Sequence, residues 1–360
     1  MINFKPSLIA ILIGLFLLSC QGDDDSMEPD EDDQTEMDMD TDMDDDDGQD
    51  DDPPTDPDSD AGSDSETIID AAFFNENTFV SIETISSTLE DGTTADCYQI
   101  TFSGDGMDGD VGPYCPPTID DVGGLAVYDG NTNPGLRNIA RSFLEDLEAD
   151  GWNILDEDGN VNVETSSEMS APDMSISTCL ELPYDASFTF SYIIPVTPKV
   201  GSSVDVLDDT DDRGLTLDGS PIKGPPPSAT EGPDGMESVQ INFPSLDPCG
   251  GHPDPTGYYH LHLIPQAMSQ VLAAADISDI SCTLVSQVSS GEELVGFAKD
   301  GYPIYVYAEI PDDLDQCNGR TAATTEYPDG VYHYVASFTD VPNTPPCLMG
   351  VSAERTFSFQ

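Results

Sequence analysis

Positive charge is scarce in this chain. Nine Lys and Arg stand against 72 Asp and Glu in 360 residues, for a formal net charge of −63. Such a surface repels nucleic acid and anionic lipid headgroups, so a nucleic-acid partner is excluded, and salt that screens self-repulsion suits it. Catalytic signatures are also missing. There is no Gly-x-Ser-x-Gly elbow, no phosphate-binding Gly-x-x-x-x-Gly-Lys loop and no Gly-rich dinucleotide loop leading into a helix. Acidic residues are too numerous for a catalytic carboxylate pair to stand out. Histidine is scarce as well. Of four in the chain, His252, His260 and His262 lie within eleven residues and His333 lies alone.

Those histidines mark the stretch of most interest. Tyr258 to Ile264 is aromatic and aliphatic between Gly257 and Pro265, which predicts a short strand. Alternation then puts His260 and His262 on one face and Tyr259, Leu261 and Leu263 on the other. Two imidazoles brought together in this way form a common metal-ligand pair; the plainer reading is a hydrogen-bonded pair in a polar core.

Three blocks recur in order. Gly214-Leu-Thr-Leu-Asp-Gly-Ser-Pro-Ile222 resembles Gly296-Phe-Ala-Lys-Asp-Gly-Tyr-Pro-Ile304. Leu246-Asp-Pro-Cys-Gly-Gly-His252 resembles Leu314-Asp-Gln-Cys-Asn-Gly-Arg320, and Tyr259-His-Leu-His262 resembles Tyr332-His-Tyr-Val335. The pattern predicts two copies of one unit packed about a pseudo-two-fold axis, with His260, His262 and His333 converging between them and His252 or Arg320 nearby. Arg320, Asp300, Tyr259 and Tyr332 are the candidate ligand-binding residues. For Arg320 the plainer reading is a structural ion pair.

The same residues carry a family resemblance. Cys249 to Asp254, Tyr259 to His262, Asp300 to Tyr305, Cys317 to Arg320 and Tyr327 to Tyr334 resemble the YHYH family, named for its Tyr-His-Tyr-His signature. The third signature position here is Leu261 rather than tyrosine. The resemblance spans roughly Leu182 to Gly350 and implies no established reaction.

Elsewhere the chain divides by composition. Residues 1–20 read as an export signal, with Lys5 before an apolar Leu8–Leu18 core. Leu17-Leu-Ser-Cys20 resembles a bacterial lipobox, which implies lipidation at Cys20 and a membrane partner through the acyl chains. Gln21-Gly-Asp-Asp-Asp25 resembles the acidic signals of surface lipoproteins of the Bacteroidetes type, implying an outer-membrane, surface-exposed location in the cell envelope. Residues 21–66 are Asp-rich, without Lys or Arg beyond Cys20, and read as a disordered tether. Residues 67–180 read as an α+β region. It has strands at Thr78–Ile82 and Cys97–Phe102, a helix beginning at Pro134 behind an Asn133 cap, and a hairpin across Asp156–Gly159. Residues 181–360 read as the YHYH-like domain, with a strand at Ser187–Pro195, one helix at Gln266–Ala275 and a loop from Phe338 to Gly350. The acidic loops Asp105–Asp110 and Asp156–Gly159 show no EF-hand ligand register, so calcium there ranks below copper or zinc at the histidines.

Apart from Cys20, seven cysteines remain: Cys97, Cys115, Cys179, Cys249, Cys282, Cys317 and Cys347. Export predicts disulfides with one left over, the local pairs being Cys97 with Cys115 and Cys317 with Cys347. Cys249 and Cys317 as metal thiolates are the less favoured alternative. The sequence therefore predicts a mainly β protein with an α+β N-terminal region and a duplicated C-terminal domain. Its leading function is binding of an extracellular ligand at a histidine-centred site that holds a transition metal. The alternatives are a metal-dependent envelope enzyme, hydrolytic or oxidative, and a structural or adhesive surface protein whose histidines pack.

Overall fold

The structure, a computed structural model, describes residues 69–104, 112–165, 175–208, 211–229, 242–337 and 339–360. The export signal with Cys20, the acidic tether and the Asp105–Asp110 loop lie outside the described residues. The fold is mostly β, and the described residues form one compact unit.

Two sheets dominate. The smaller joins β1 (Phe79–Thr88), β2 (Thr94–Ser103), β7 (Thr189–Pro195) and β19 (Phe357–Phe359) in that order, all antiparallel. It draws strands from both sides of the compositional boundary near residue 180. The larger joins β9 (Gly214–Thr216), β10 (Pro221–Ile222), β12 (Gly251–Pro253), β13 (Tyr259–Leu261), β14 (Glu292–Ala298), β15 (Pro303–Tyr307), β16 (Gly319–Ala322) and β17 (Val331–Val335). Its order is β12-β13-β10-β9-β14-β15-β17-β16. Smaller pairings complete the strands: β3 (Leu125–Tyr128) with β4 (Gly135–Asn138), β5 (Val163–Glu164) with β6 (Thr178–Leu180) and β11 (Asn242–Pro244), and β8 (Val200–Val206) with β18 (Cys347–Gly350).

The sheets meet through apolar side chains. Ile100, Phe102, Phe190 and Tyr192 of the small sheet cluster with Leu215, Phe297 and Tyr305 of the large one. Burying aromatic and aliphatic surface of this kind is the main stabilising term, about 25 cal/mol per Å² removed from water. A separate cluster of Leu261, Leu263, Tyr259 and Cys249 packs on Met268, Val271 and Leu272 of α2 (Met268–Ala274). Among the described residues, no helix is long and apolar enough to cross a membrane.

The large sheet reads alike from its two edges. Each edge is an antiparallel pair, β12/β13 or β16/β17; each pair continues through a parallel contact, β13 to β10 or β17 to β15. The registers correspond residue for residue. His252 faces His260 as Arg320 faces His333, and Ile222 faces Leu261 as Ile304 faces Tyr334. At the centre β9 and β14 run antiparallel with Leu215 opposite Phe297.

Several expectations need correction. The helix α1 begins only at Arg141 and ends at Ala149. The Gly135–Asn138 segment, with Leu136, pairs instead with β3, and Asn133 adopts a positive φ of 52° in the turn between them. Strand pairing thus overrides helical periodicity there. Cys115 pairs with Cys179 rather than Cys97, Cys249 pairs with Cys282, and Cys317 pairs with Cys347 as expected. Among the described residues Cys97 is the free thiol, buried in β2. The Phe338–Gly350 loop includes β18. The acidic turn at Asp156 turns its carboxylate onto its own chain, accepting from the backbone N–H groups of Asp158 and Asn160 and from the Asn160 amide.

Candidate metal centre

The centre is built on a β-hairpin and the turn before it. Asp247 opens that turn: its Oδ1 accepts the Cys249 N–H at 2.8 Å and its Oδ2 accepts the Tyr259 hydroxyl at 2.9 Å. Gly250 takes φ +90°, a conformation costly for any side chain, and its carbonyl accepts the His262 N–H. The Cys249–Cys282 disulfide fixes the turn against the segment after α2. The chain then runs into β12, turns at Asp254–Gly257 and returns as β13. Tyr259 is fully buried, with its hydroxyl on Asp247. It braces the turn rather than facing a ligand.

This scaffold brings His252, His260 and His262 together. Nε2 of His262 lies 3.0 Å from Nε2 of His260 and 3.1 Å from Nε2 of His252. All three ligand atoms fall within 4.8 Å of one another, the one such group of His, Cys, Asp or Glu among the described residues. His260 and His262 are buried and His252 is half-buried.

The partners of the other ring nitrogens decide what this means. Nδ1 of His262 sits 2.7 Å from the Gly224 carbonyl, and Nδ1 of His252 sits 2.9 Å from the Ser245 carbonyl. A carbonyl only accepts, so both Nδ1 atoms carry the proton and both Nε2 atoms present lone pairs. The Tyr258 carbonyl polarises His260, although its Nδ1 lacks a well-formed hydrogen bond. Burial also disfavours the imidazolium: it pushes His252 down to about 4 and His262 down to about 3, and holds His260 well below its ordinary value. Two neutral imidazoles with Nε2 lone pairs 3.1 Å apart repel each other unless a cation lies between them. Zinc–nitrogen bonds of about 2.0–2.1 Å place tetrahedral ligand atoms roughly 3.3 Å apart; the two pairs through His262 lie near that spacing, and the whole group spans no more than 4.8 Å. The triad could hold a metal ion.

His333 does not join it. β13 and β17 have four strands between them, a separation of roughly 24 Å at ordinary strand spacing. In place of an ion, His333 has the Tyr307 hydroxyl 2.8 Å from Nε2 and the Val331 carbonyl 3.0 Å from Nδ1. His252, expected at the margin, is the third member because it sits directly across from His260. Arg320 pairs with Asp313 at 3.0 Å and lies over the Tyr307 ring. Tyr332 donates its hydroxyl to Asp315 as Tyr259 does to Asp247. Asp300 is fully buried among Tyr334, Gly350 and Tyr302. All four candidate ligand-binding residues have partners within the protein. Cys249 and Cys317 are both in disulfides, which removes them as thiolate ligands.

Three groups important to the centre escaped the sequence reading. The Gly224 and Ser245 carbonyls left no signal, because a backbone acceptor has no sequence signature. Lys223 was legible only as a rare cation; its side chain reaches over the Tyr258 ring, which contacts His260.

A β-rich protein with a tri-histidine centre on a sheet edge is the class that these observations define. The family model described as YHYH protein matches residues 191–310 and 305–350. The C-terminal half of the chain is thus a YHYH domain, and it contains the whole triad. Neither the curated proteins nor the solved structures give a match to this chain.

Proposed function

We propose that the YHYH domain holds one transition-metal ion, copper or zinc, on Nε2 of His252, His260 and His262, and that the protein is a lipid-anchored binding protein of the cell surface. The observation that carries the metal reading is the pair of carbonyl-fixed imidazoles whose lone pairs face each other at 3.1 Å. Nitrogen ligands favour copper or zinc over magnesium or calcium. The carbonyls behind His252 and His262 orient the rings as the outer partners of metal-bound histidines do. The corresponding pairings of His252 with His260 and Arg320 with His333 support two copies of one unit, of which one has a full ligand set.

The test is metal content. Untagged full-length protein, stripped by chelation, reloaded and desalted, should retain one ion per chain. The double variant His260→Ala/His262→Ala should bind at least about a hundredfold more weakly, since losing two of three ligands removes most of the coordination energy. Equal retention by the variant sinks the metal reading.

The location rests on the N-terminal sequence. Cys20→Ala should abolish lipid labelling and move the protein from the membrane to the soluble fraction. A variant that still labels and sediments with membranes would disprove the anchor.

A further inference from the structure

We propose that the ion on the triad takes a small monoanion from solution as its fourth ligand. This rests on the metal reading above and deepens it. A divalent ion held only by three neutral imidazoles keeps its full charge, and among the described residues no carboxylate or thiolate joins the group. Two of its three ligands are buried, where an uncompensated charge is costly.

The neighbouring charges do not relieve it. Lys223 donates its backbone N–H to the Leu261 carbonyl, between His260 and His262, and Arg213 donates its own to the Ile222 carbonyl on the same side. The Lys223 ammonium lies 5.9 Å from the Tyr258 ring centroid and 5.3 Å from that of Phe357. The Tyr258 ring is in turn 5.7 Å from that of His260. Both cations act electrostatically on His262, and Lys223 also acts on His260. Only nine Lys and Arg occur in the chain, and two of them stand beside this one buried centre.

Two carboxylates stand near, and neither completes the ion. Asp212 pairs with Lys223. Asp254 acts on His252, but its Oδ1 accepts from the Thr256 N–H, the Thr256 hydroxyl and the Gly257 N–H, capping the hairpin turn. Set against Lys223 and Arg213, these two acids leave the ion's own charge unmatched. An incoming monoanion offsets part of it and fills the position that three ligands leave open. β12 is the outermost strand of the sheet, and its His252 is the least buried of the three ligands.

Cobalt(II) gives a visible readout of coordination, and azide serves as the monoanion. Cobalt-loaded, untagged full-length protein should show d–d bands that change saturably as azide is added, whereas added glycerol, a neutral control, leaves them unchanged. Lys223→Gln should weaken azide binding about tenfold, the loss of one nearby unit charge in a partly screened site, and Lys223→Arg should restore it. Thermal melts of both variants check that they fold. If cobalt does not bind, the metal reading falls and this inference falls with it. If cobalt binds one per chain but azide leaves the bands unchanged, the inference alone is overturned. It is overturned equally if Lys223→Gln folds and binds azide as tightly as wild type.

Discussion

Zinc or copper at a thousandfold excess over its dissociation constant is expected to stabilise the folded protein by about 4 kcal/mol, an increase that the His260→Ala/His262→Ala variant should lack. The size follows from linkage alone, provided that the ion binds the folded chain and not the unfolded one. The geometry supplies that condition. His252 and His260 face each other only through the β12–β13 pairing, and His262 reaches them only because its N–H is fixed on Gly250. An unfolded chain keeps the short spacing but not the lone pairs in register. For a domain of this size, 4 kcal/mol corresponds to roughly 8–16 °C in melting temperature. The measurement is a pair of melts, chelated and loaded, under non-reducing conditions so that the Cys249–Cys282 bridge keeps the turn in place. Coincident melts, or an equal shift in the double variant, would disprove the prediction.

The two edges of the large sheet explain why one of them suits an ion and the other does not. Both have the same turn: Asp247 and Asp315 each accept a cysteine N–H, a glycine N–H and a tyrosine hydroxyl. Both place a histidine centrally in the returning strand. Beyond that they diverge. Val335 stands in the block position of His262 and Arg320 in that of His252, so the second edge offers one imidazole and a guanidinium. The remaining histidine then takes Tyr307 as its partner. Two residue differences on similar turns leave three facing imidazoles at one edge and an internally hydrogen-bonded histidine at the other.

Local features of the centre were legible in the sequence, and the long-range ones less so. Strand alternation put His260 and His262 on one face because side-chain direction follows from the neighbouring backbone alone. The strands at Thr78–Ile82, Cys97–Phe102 and Ser187–Pro195 and the helix near Gln266–Ala275 were legible for the same reason. His333 was chosen as the third member because block matching made it the counterpart of His260. Being a counterpart does not make it a neighbour. The two Tyr-His strands lie on opposite sides of the central β9–β14 pairing, where Leu215 faces Phe297, and so do not meet. A usable signal for His252 was present: Asp254-Pro-Thr-Gly257 is a turn, and folding the chain back there sets His252 across from His260. The helix at Pro134 failed for the opposite reason, since its Asn133 cap and Pro134 start were locally consistent and β3 recruited the first part as a strand.

Replacing Asp300 with asparagine is expected to destabilise the protein at pH 4 and to cost little or nothing above pH 7, where the wild-type carboxyl has lost its own stabilising contribution. Asp300 lies at the β14–β15 turn, fully buried, and ties that turn to two other segments. Its Oδ2 accepts the Tyr334 hydroxyl at 2.5 Å and the Gly350 N–H at 2.9 Å, while Oδ1 accepts the Tyr302 N–H at 3.3 Å. Burial pushes the carboxyl from its ordinary value of 3.8 up to about 6, and the donors pull it back only in part. Between those two values the folded chain holds a proton that the unfolded chain has released. The stability contributed by this group is therefore fully present below pH 3.8 and is lost as pH rises through 6. Two units correspond to about 3 kcal/mol. Asparagine keeps the size but cannot titrate. It also turns an amide N–H₂ toward a site lined by donors, so it carries a constant penalty of about 1–3 kcal/mol for unmet hydrogen bonds. The wild-type minus variant difference should thus shrink by about 2 kcal/mol between pH 4 and pH 7, the part of the full shift that this window spans. The buried histidines titrate alike in both proteins, so their contribution cancels from that difference. Denaturant unfolding of the two proteins at matched pH values supplies the measurement. A difference that stays constant across the range would show that the Asp300 carboxyl keeps its ordinary value despite its burial.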